Sequence, residues 1–239
     1  MQLSKRLQAV ADLVTSGNRV ADVGCDHAYT SIYLAKNHIS PHIIAMDVNQ
    51  GPIDRARENI MKYGLEDRIE TRRSNGLEKL KNNEADTVII AGMGGGLTVQ
   101  ILTDYPEIRK TVRELVLQPQ SEIYKVREML SENGYFITRE NMVKEEGKYY
   151  FMMRAVPHAY VEHSEIFKLT AKEHFYFGRL LLEHKNPILK EYFEWDYGIC
   201  EDILESLTAG QTENSKQRQD EVRERMELIR RGLRYFNPE

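Results

Sequence analysis

Short apolar runs bounded by turn residues alternate, over the first two thirds of the chain, with stretches whose apolar positions recur every three or four residues. Leu3, Leu7, Val10, Ala11 and Val14 set an opening helix. Strands are then predicted over residues 19–24, 42–47, 68–73, 85–91 and 114–118, with helices between them from about Thr30, Pro52, Leu77, Leu97 and Ser121. Alternation at this spacing predicts right-handed crossovers and an open parallel sheet, an α/β fold. The period then changes. Residues 135–143 and 148–156, separated by Glu145-Glu146-Gly147, read as a hairpin, so the sheet is expected to end in an antiparallel pair.

Beyond Pro157 the strands stop, which predicts a sheet domain over residues 1–157 and a helical domain over 158–239. Asn186-Pro187 supplies an N-cap followed by proline at the first helical position, opening a helix to about Leu207 that Thr208-Ala209-Gly210 closes. The last helix carries Val222, Met226, Ile229, Leu233 and Phe236, a 4-3-4-3 spacing that makes an apolar seam. Two long helices joined by a short turn predict an antiparallel, coiled-coil hairpin.

Composition narrows the context rather than the function. At 239 residues the chain can hold one α/β domain plus a smaller appendage. A net charge of -4 means that any nucleic-acid binding has to come from a local patch. Cys25 and Cys200 are too few and too far apart for a disulfide framework, and the seven histidines show no ligand spacing, so no metal is expected. The opening helix is interrupted by charge and too short for export or spanning, which points away from a membrane and toward the cytoplasm. Nothing calls for an obligate protein partner.

The chemistry concentrates at strand ends. Asp22-Val23-Gly24-Cys25-Asp26-His27-Ala28-Tyr29 is an acidic, single-glycine turn between a strand and a helix. A dinucleotide-binding turn places a second glycine where Asp26 stands, so that backbone amides can touch a pyrophosphate. A carboxylate there repels pyrophosphate, which disfavours a nicotinamide-dependent oxidoreductase. S-adenosylmethionine carries no phosphate, and Asp22 can hold its ammonium by a charge-assisted hydrogen bond. A sheet that ends in an antiparallel pair also suits methyltransferases better than dehydrogenases, by fold analogy.

Asp47 ends the second strand, 23 residues after Gly24, where a carboxylate can accept both hydroxyls of a ribose; alternatively it is a turn aspartate. Ser74-Asn75-Gly76 follows the third strand, placing the Asn75 amide and Gly76 at an adenine ring, unless they form only a turn. Ala91-Gly92-Met93-Gly94-Gly95-Gly96 ends the fourth strand, where Ala91, Gly92 and Gly94 can bring backbone close to the sulfonium methyl, with Met93 beside them. The other use of these glycines is a flexible cap on the next helix. His27 and Tyr29 can orient a substrate base, and His27 can accept a proton, though a turn histidine satisfied by backbone is equally consistent. Cys25 reads as a packing residue.

Together the Asp22–Tyr29 turn, Ala91-Gly92-Met93-Gly94-Gly95 and Leu117-Gln118-Pro119-Gln120 resemble the bacterial tRNA (adenine-N1)-methyltransferases that modify adenine 22, a class I S-adenosylmethionine-dependent family. The resemblance spans nearly the whole chain and departs at Cys25, where the family usually has serine. It implies a Rossmann-like domain holding S-adenosylmethionine and a coiled-coil domain that helps hold tRNA. For that grip the best patch is residues 216–234, seven basic against four acidic, including Arg223, Arg225, Arg230, Arg231 and Arg234. Arg68, Arg72 and Arg73, with Lys5 and Arg6, can add phosphate contacts around the cleft. Tyr149 and Tyr150 are further candidates to wall in a base. A methyltransferase for small molecules or proteins would share every cofactor residue, and a non-catalytic RNA-binding protein with an inherited fold is the remaining alternative.

Overall fold

The computed structural model describes residues 1–162, 167–207 and 213–236, which divide into two compact units, Met1–Lys168 and Leu169–Glu239. In the first, helix α1 (Lys5–Ala11) precedes β1 (Val20–Val23), α2 (Tyr29–Lys36), β2 (Ile43–Asp47), α3 (Gln50–Lys62), β3 (Ile69–Arg73) and β4 (Thr87–Met93). Helices α4 (Gly95–Asp104) and α5 (Pro106–Arg109), β5 (Glu114–Pro119), α6 (Ile123–Glu132), β6 (Tyr135–Glu145) and β7 (Lys148–Pro157) follow. The sheet order is β3-β2-β1-β4-β5-β7-β6, with β7 antiparallel to both neighbours and the pairs from β3 to β5 parallel.

The parallel strands form because their runs are apolar enough to be covered on both faces: β1 and β5 are buried at every position, and β2 at all but Asp47. The outer strand β3 is instead half polar, with Glu70, Arg72 and Arg73, as suits an edge. The β6–β7 hairpin turns at Glu146 and Gly147, both at positive φ, which matches the right-handed twist of the flanking strands. The expected helix near Leu77 is absent. Leu77 and Leu80 are buried, but they mark a single turn: Gly76 is left-handed, and the Ser74 hydroxyl both donates to the Gly76 carbonyl and accepts from the Lys79 amide, competing with a helix.

Strand order reverses between β2-β1 and β4-β5, so the cleft beyond the carboxyl ends of β1 and β4 is where such a sheet binds ligands.

The second unit contains α7 (Lys172–Phe177), α8 (Arg179–Glu183), α9 (Pro187–Leu207) and α10 (Glu213–Arg234). The Asn186 side chain accepts from the Ile188 and Leu189 amides, so the N-cap forms as expected. Residues 208–210, expected to close α9, lie outside the described residues. α9 and α10 run antiparallel: Gln219 reaches Leu207 at one end and Gly232 crosses Phe193 at the other, so closely that a Cβ on Gly232 would lie 2.5 Å from Phe193 Cζ. Val222, Met226 and Ile229 are buried in the seam, while Leu233 and Phe236 are half-buried.

Candidate active site

The first turn is tightly constrained. Gly24, Asp26 and Ala28 all have positive φ, and two of them are not glycine. The Gly24 and Cys25 amides both bond to the Met46 carbonyl, and Asn59 of α3 donates to the His27 carbonyl at 3.0 Å. Asp26 is exposed and pairs with Arg55 of α3 at 2.9 Å, and its other oxygen lies 3.6 Å from His27 Nε2. The His27 and Tyr29 rings stack almost parallel, centroids 5.3 Å apart, with Tyr29 42% exposed.

Asp22, at the carboxyl end of β1, is buried, and its carboxylate accepts from the Ser31 hydroxyl at 2.6 Å. Burial pushes it up to about 6, against the opposing pull of the Ser31 hydrogen bonds. No cation pairs with it among the described residues. Burial likewise pushes the Cys25 thiol up, which leaves it a packing residue rather than a nucleophile.

A cavity of about 240 Å³ opens onto this turn, lined by Asp22, Gly24, Asp26, His27, Tyr29, Ala91 and Gly92 among the expected residues. Cys25 of the same turn completes it with Arg6, Leu7, Thr30 and Gln120, and of these last four only Arg6 was expected near the cleft, as a phosphate contact. Its position depends on contacts remote in sequence. The Lys5 and Arg6 amides at the start of α1 donate to the Glu145 carboxylate on β6, the Arg6 guanidinium lies over the Tyr150 ring, and Arg6 Nη1 donates to Gln118 Oε1 at 2.9 Å. Gln118 Oε1 also accepts from the Gly92 amide, where β4 bulges between Ala91 and Met93. The Gln118 side chain therefore fixes both the backbone and the guanidinium on this wall.

The other expected residues are distributed differently. Asp47 and Asn75 stand at the carboxyl ends of β2 and β3, outside the lining of the cavity, with Asp47 accepting from the Asn49 amide and Asn75 exposed. Gly76 packs on α4, where a Cβ would lie 3.0 Å from Ile101. Met93 lies across Gly24: a Cβ there would meet its Cε at 2.2 Å.

The glycine run proves to serve packing as well as access. A Cβ on Gly95 would lie 2.4 Å from the Ser121 carbonyl, one on Gly94 would lie 3.2 Å from Ser121 Oγ, and one on Gly96 would lie 3.1 Å from Glu122. The segment after β5 crosses the start of α4 at backbone distance, so Gly94 is the N-cap of α4 and only Ala91 and Gly92 face the cavity.

The basic candidates divide by environment. Arg68 lies just before β3, at the end of the sheet opposite the cleft, and bonds the Ala35 and Ser40 carbonyls. Arg72 is half-buried between Glu70 and Glu84, whose carboxylates keep its guanidinium protonated. Both are occupied internally, which removes them from the expected phosphate contacts. Arg73 bonds the Val48 carbonyl. In the second unit Arg225 is also internal, held by Asp196 and Tyr192 over the Phe177 ring. Arg223, Arg230 and Arg231 are exposed on α10, in short-range pairs with Asp220 or Glu227, and Arg234 is exposed beyond them. Tyr149 lies under Lys144, and Tyr150 is occupied by Arg6. Among the described residues no three His, Cys, Asp or Glu side chains cluster as a metal site would require, and no helix is long and apolar enough to cross a membrane.

A methyltransferase-domain family model matches residues 3–153. The tRNA (adenine(22)-N(1))-methyltransferase of Bacillus subtilis is 33% identical over 231 residues, covering 96% of this chain and 96% of that protein. The crystal structure of the B. subtilis M1A22 tRNA methyltransferase TrmK superposes with a TM-score of 0.86 at 32% identity, covering 97% of this chain and 99% of that one. Streptococcus pneumoniae Sp1610, solved in complex with S-adenosyl-L-methionine, gives a TM-score of 0.84 at 27% identity, covering 97% of this chain and all of that one.

Proposed function

Because the chain belongs to the tRNA (adenine(22)-N(1))-methyltransferase family, we propose that it transfers a methyl group from S-adenosylmethionine to N1 of adenine 22 in tRNA. The observation that carries this is the extent of the likeness. A methyltransferase domain alone ends at residue 153, whereas the match to the tRNA enzyme continues through the helical second unit.

The residues at the first turn fit the cofactor. A buried carboxylate with no cation partner among the described residues is costly unless a positive group joins it, and Asp22 suits the cofactor's ammonium. Asp47 accepts the ribose hydroxyls, and Asn75 meets the adenine edge. S-adenosylmethionine supplies an electrophilic methyl group on a sulfonium. Neutral adenine N1 already has an in-plane lone pair, so Ala91, Gly92 and Met93 need only position the reacting groups and exclude water. N1 lies on the Watson–Crick edge, and the target base therefore leaves any pairing before it reacts. The His27–Tyr29 stack gives it a face to lie against, and His27 accepts the N6 proton released by the cationic product. Arg223, Arg230, Arg231 and Arg234 hold the tRNA backbone in the cytoplasm, where the substrate is found.

Incubation with labelled S-adenosylmethionine and unmodified tRNA, followed by nucleoside analysis, tests the assignment. N1-methyladenosine is expected and should vanish when adenine 22 is replaced; methylation that persists on the replaced tRNA overturns the position, and no methylation overturns the activity.

A further inference from the structure

Methylation at N1 constrains how a target adenine can be recognised. The Watson–Crick edge is the reacting edge, and a site that gripped it would block its own reaction, so the base has to be read along N6 and N7. That edge presents an N6–H donor beside the N7 acceptor, and a side chain that matches both needs an acceptor and a donor in one plane. Among the residues that line the cavity, the Asp22 and Asp26 carboxylates only accept and the Arg6 guanidinium only donates. A primary amide has the pair. Of the two amides at the carboxyl end of β5, Gln118 is fully engaged: Oε1 accepts from Arg6 and from the Gly92 amide, and Nε2 donates to the Pro119 carbonyl at 3.3 Å. Gln120 lines the cavity, is exposed, and makes no side-chain hydrogen bond among the described residues. Its backbone amide is held by the Met93 carbonyl at 2.8 Å, and its Nε2 lies 3.7 Å from where a Cβ on Gly92 would stand. An uncommitted amide is thus fixed against the loop at the end of β4.

We propose that Gln120 selects the target base by its N6/N7 edge, Oε1 accepting from N6–H and Nε2 donating to N7, while N1 stays free to attack. The assignment rests on the adenine N1 reading above and names the residue that recognises the base. It gives Gln120 and the His27–Tyr29 stack separate tasks. A ring face holds any base, whereas the amide distinguishes adenine, because guanine offers two acceptors, O6 and N7, to the same pair of atoms. The tie between the Gln120 and Met93 backbones adds a geometric consequence. The amide hangs on the loop that positions the reacting groups, so recognition of the base and alignment of N1 are set together.

A tRNA carrying 7-deazaadenine at position 22 keeps N1 and N6 and lacks only the N7 acceptor, so it isolates one of the two bonds. The readout is the preference for adenine over 7-deazaadenine, as a ratio of kcat/KM. Comparing that ratio between proteins cancels the different intrinsic reactivity of the two N1 atoms. Gln120→Ala is expected to lower kcat/KM on adenine by about 10- to 100-fold, the range for a bidentate base contact. It should lower the preference by about 10-fold, the share of one hydrogen bond. Gln120→Glu keeps an acceptor for N6–H but sets a carboxylate oxygen against N7, and should lower the preference further still. Affinity for S-adenosylhomocysteine in calorimetry should be unchanged in both variants. An unchanged preference in Gln120→Ala, whether or not the rate falls, would overturn the proposal and leave Gln120 a wall of the cleft. A loss of S-adenosylhomocysteine affinity that accounts for the whole loss of rate would also overturn it. No methylation of either tRNA by the unaltered protein is a different result, and it would remove the methyltransferase reading on which the proposal stands.

Discussion

Two buried carboxylates at opposite ends of the same sheet are treated in opposite ways. Glu114, at the amino end of β5, is saturated: the Thr15 amide and hydroxyl, the Thr87 hydroxyl and Arg154 Nε all donate to it within 2.9 Å. Nearby Asp86 is held by Arg19 and Arg113, and its carboxyl is depressed by the Arg19 guanidinium. Asp22, at the carboxyl end of β1, has only Ser31. The amino end is built for folding, whereas the carboxyl end keeps a buried charge at some cost in stability, which the proposed function assigns to a ligand. A buried charge is therefore informative about function to the degree that the chain has left it unmatched.

Breaking the saturated end should have the largest effect. Glu114→Ala strands Arg154 and three donors and is expected to destabilise the protein by about 3 kcal/mol, seen in urea unfolding, while affinity for S-adenosylhomocysteine is unchanged. Asp22→Asn should invert both outcomes. Cofactor affinity falls on the order of 100-fold in calorimetry, as for loss of a charge-assisted bond, and the cofactor-free protein gains about 2 kcal/mol because the buried charge is gone. A fall in stability for Asp22→Asn would mean that the two ends are not distinguished in this way.

The pH dependence sharpens the same contrast. Burial raises Asp22 from 3.8 to about 6, so its contribution to the cofactor-free fold is full below its ordinary value and is lost as pH rises through 6. The difference amounts to about 3 kcal/mol. Cofactor binding needs the ionised form and should weaken about tenfold per pH unit below 6. Stability and affinity titrating in the same direction would contradict the assignment. The smallest effect is expected on α10. Arg230→Glu with Arg231→Glu should weaken tRNA binding and lower its salt slope by about one for each phosphate no longer neutralised, with cofactor affinity intact.

The parallel strands were legible in the sequence because a strand covered on both faces is simply an apolar run, and the place of Asp22 near the carboxyl end of β1 was legible because that run stops at Gly24. What the sequence concealed lies in long-range crossings. Gly94, Gly95 and Gly96 announce a close approach, but nothing in their own segment says that it is made by Ser121 and Glu122. Arg68 and Arg72 look free until the fold supplies Ala35, Ser40 and Glu84. The apparent helix at Leu77 needed only two apolar residues, too few to outweigh a left-handed glycine and a competing serine.

The clasp of Glu145 on the first residues of α1 also sets an order of events during synthesis. Arg6 is made well before its partners: the carboxylate that anchors its helix is 139 positions later, and Gln118 and Tyr150 are also late. At translation rates of about 5–20 residues per second, the nascent chain has its acidic turn for many seconds before that wall of the cavity can assemble. Cofactor captured on the ribosome would thus report that the β6–β7 hairpin has emerged and closed on α1.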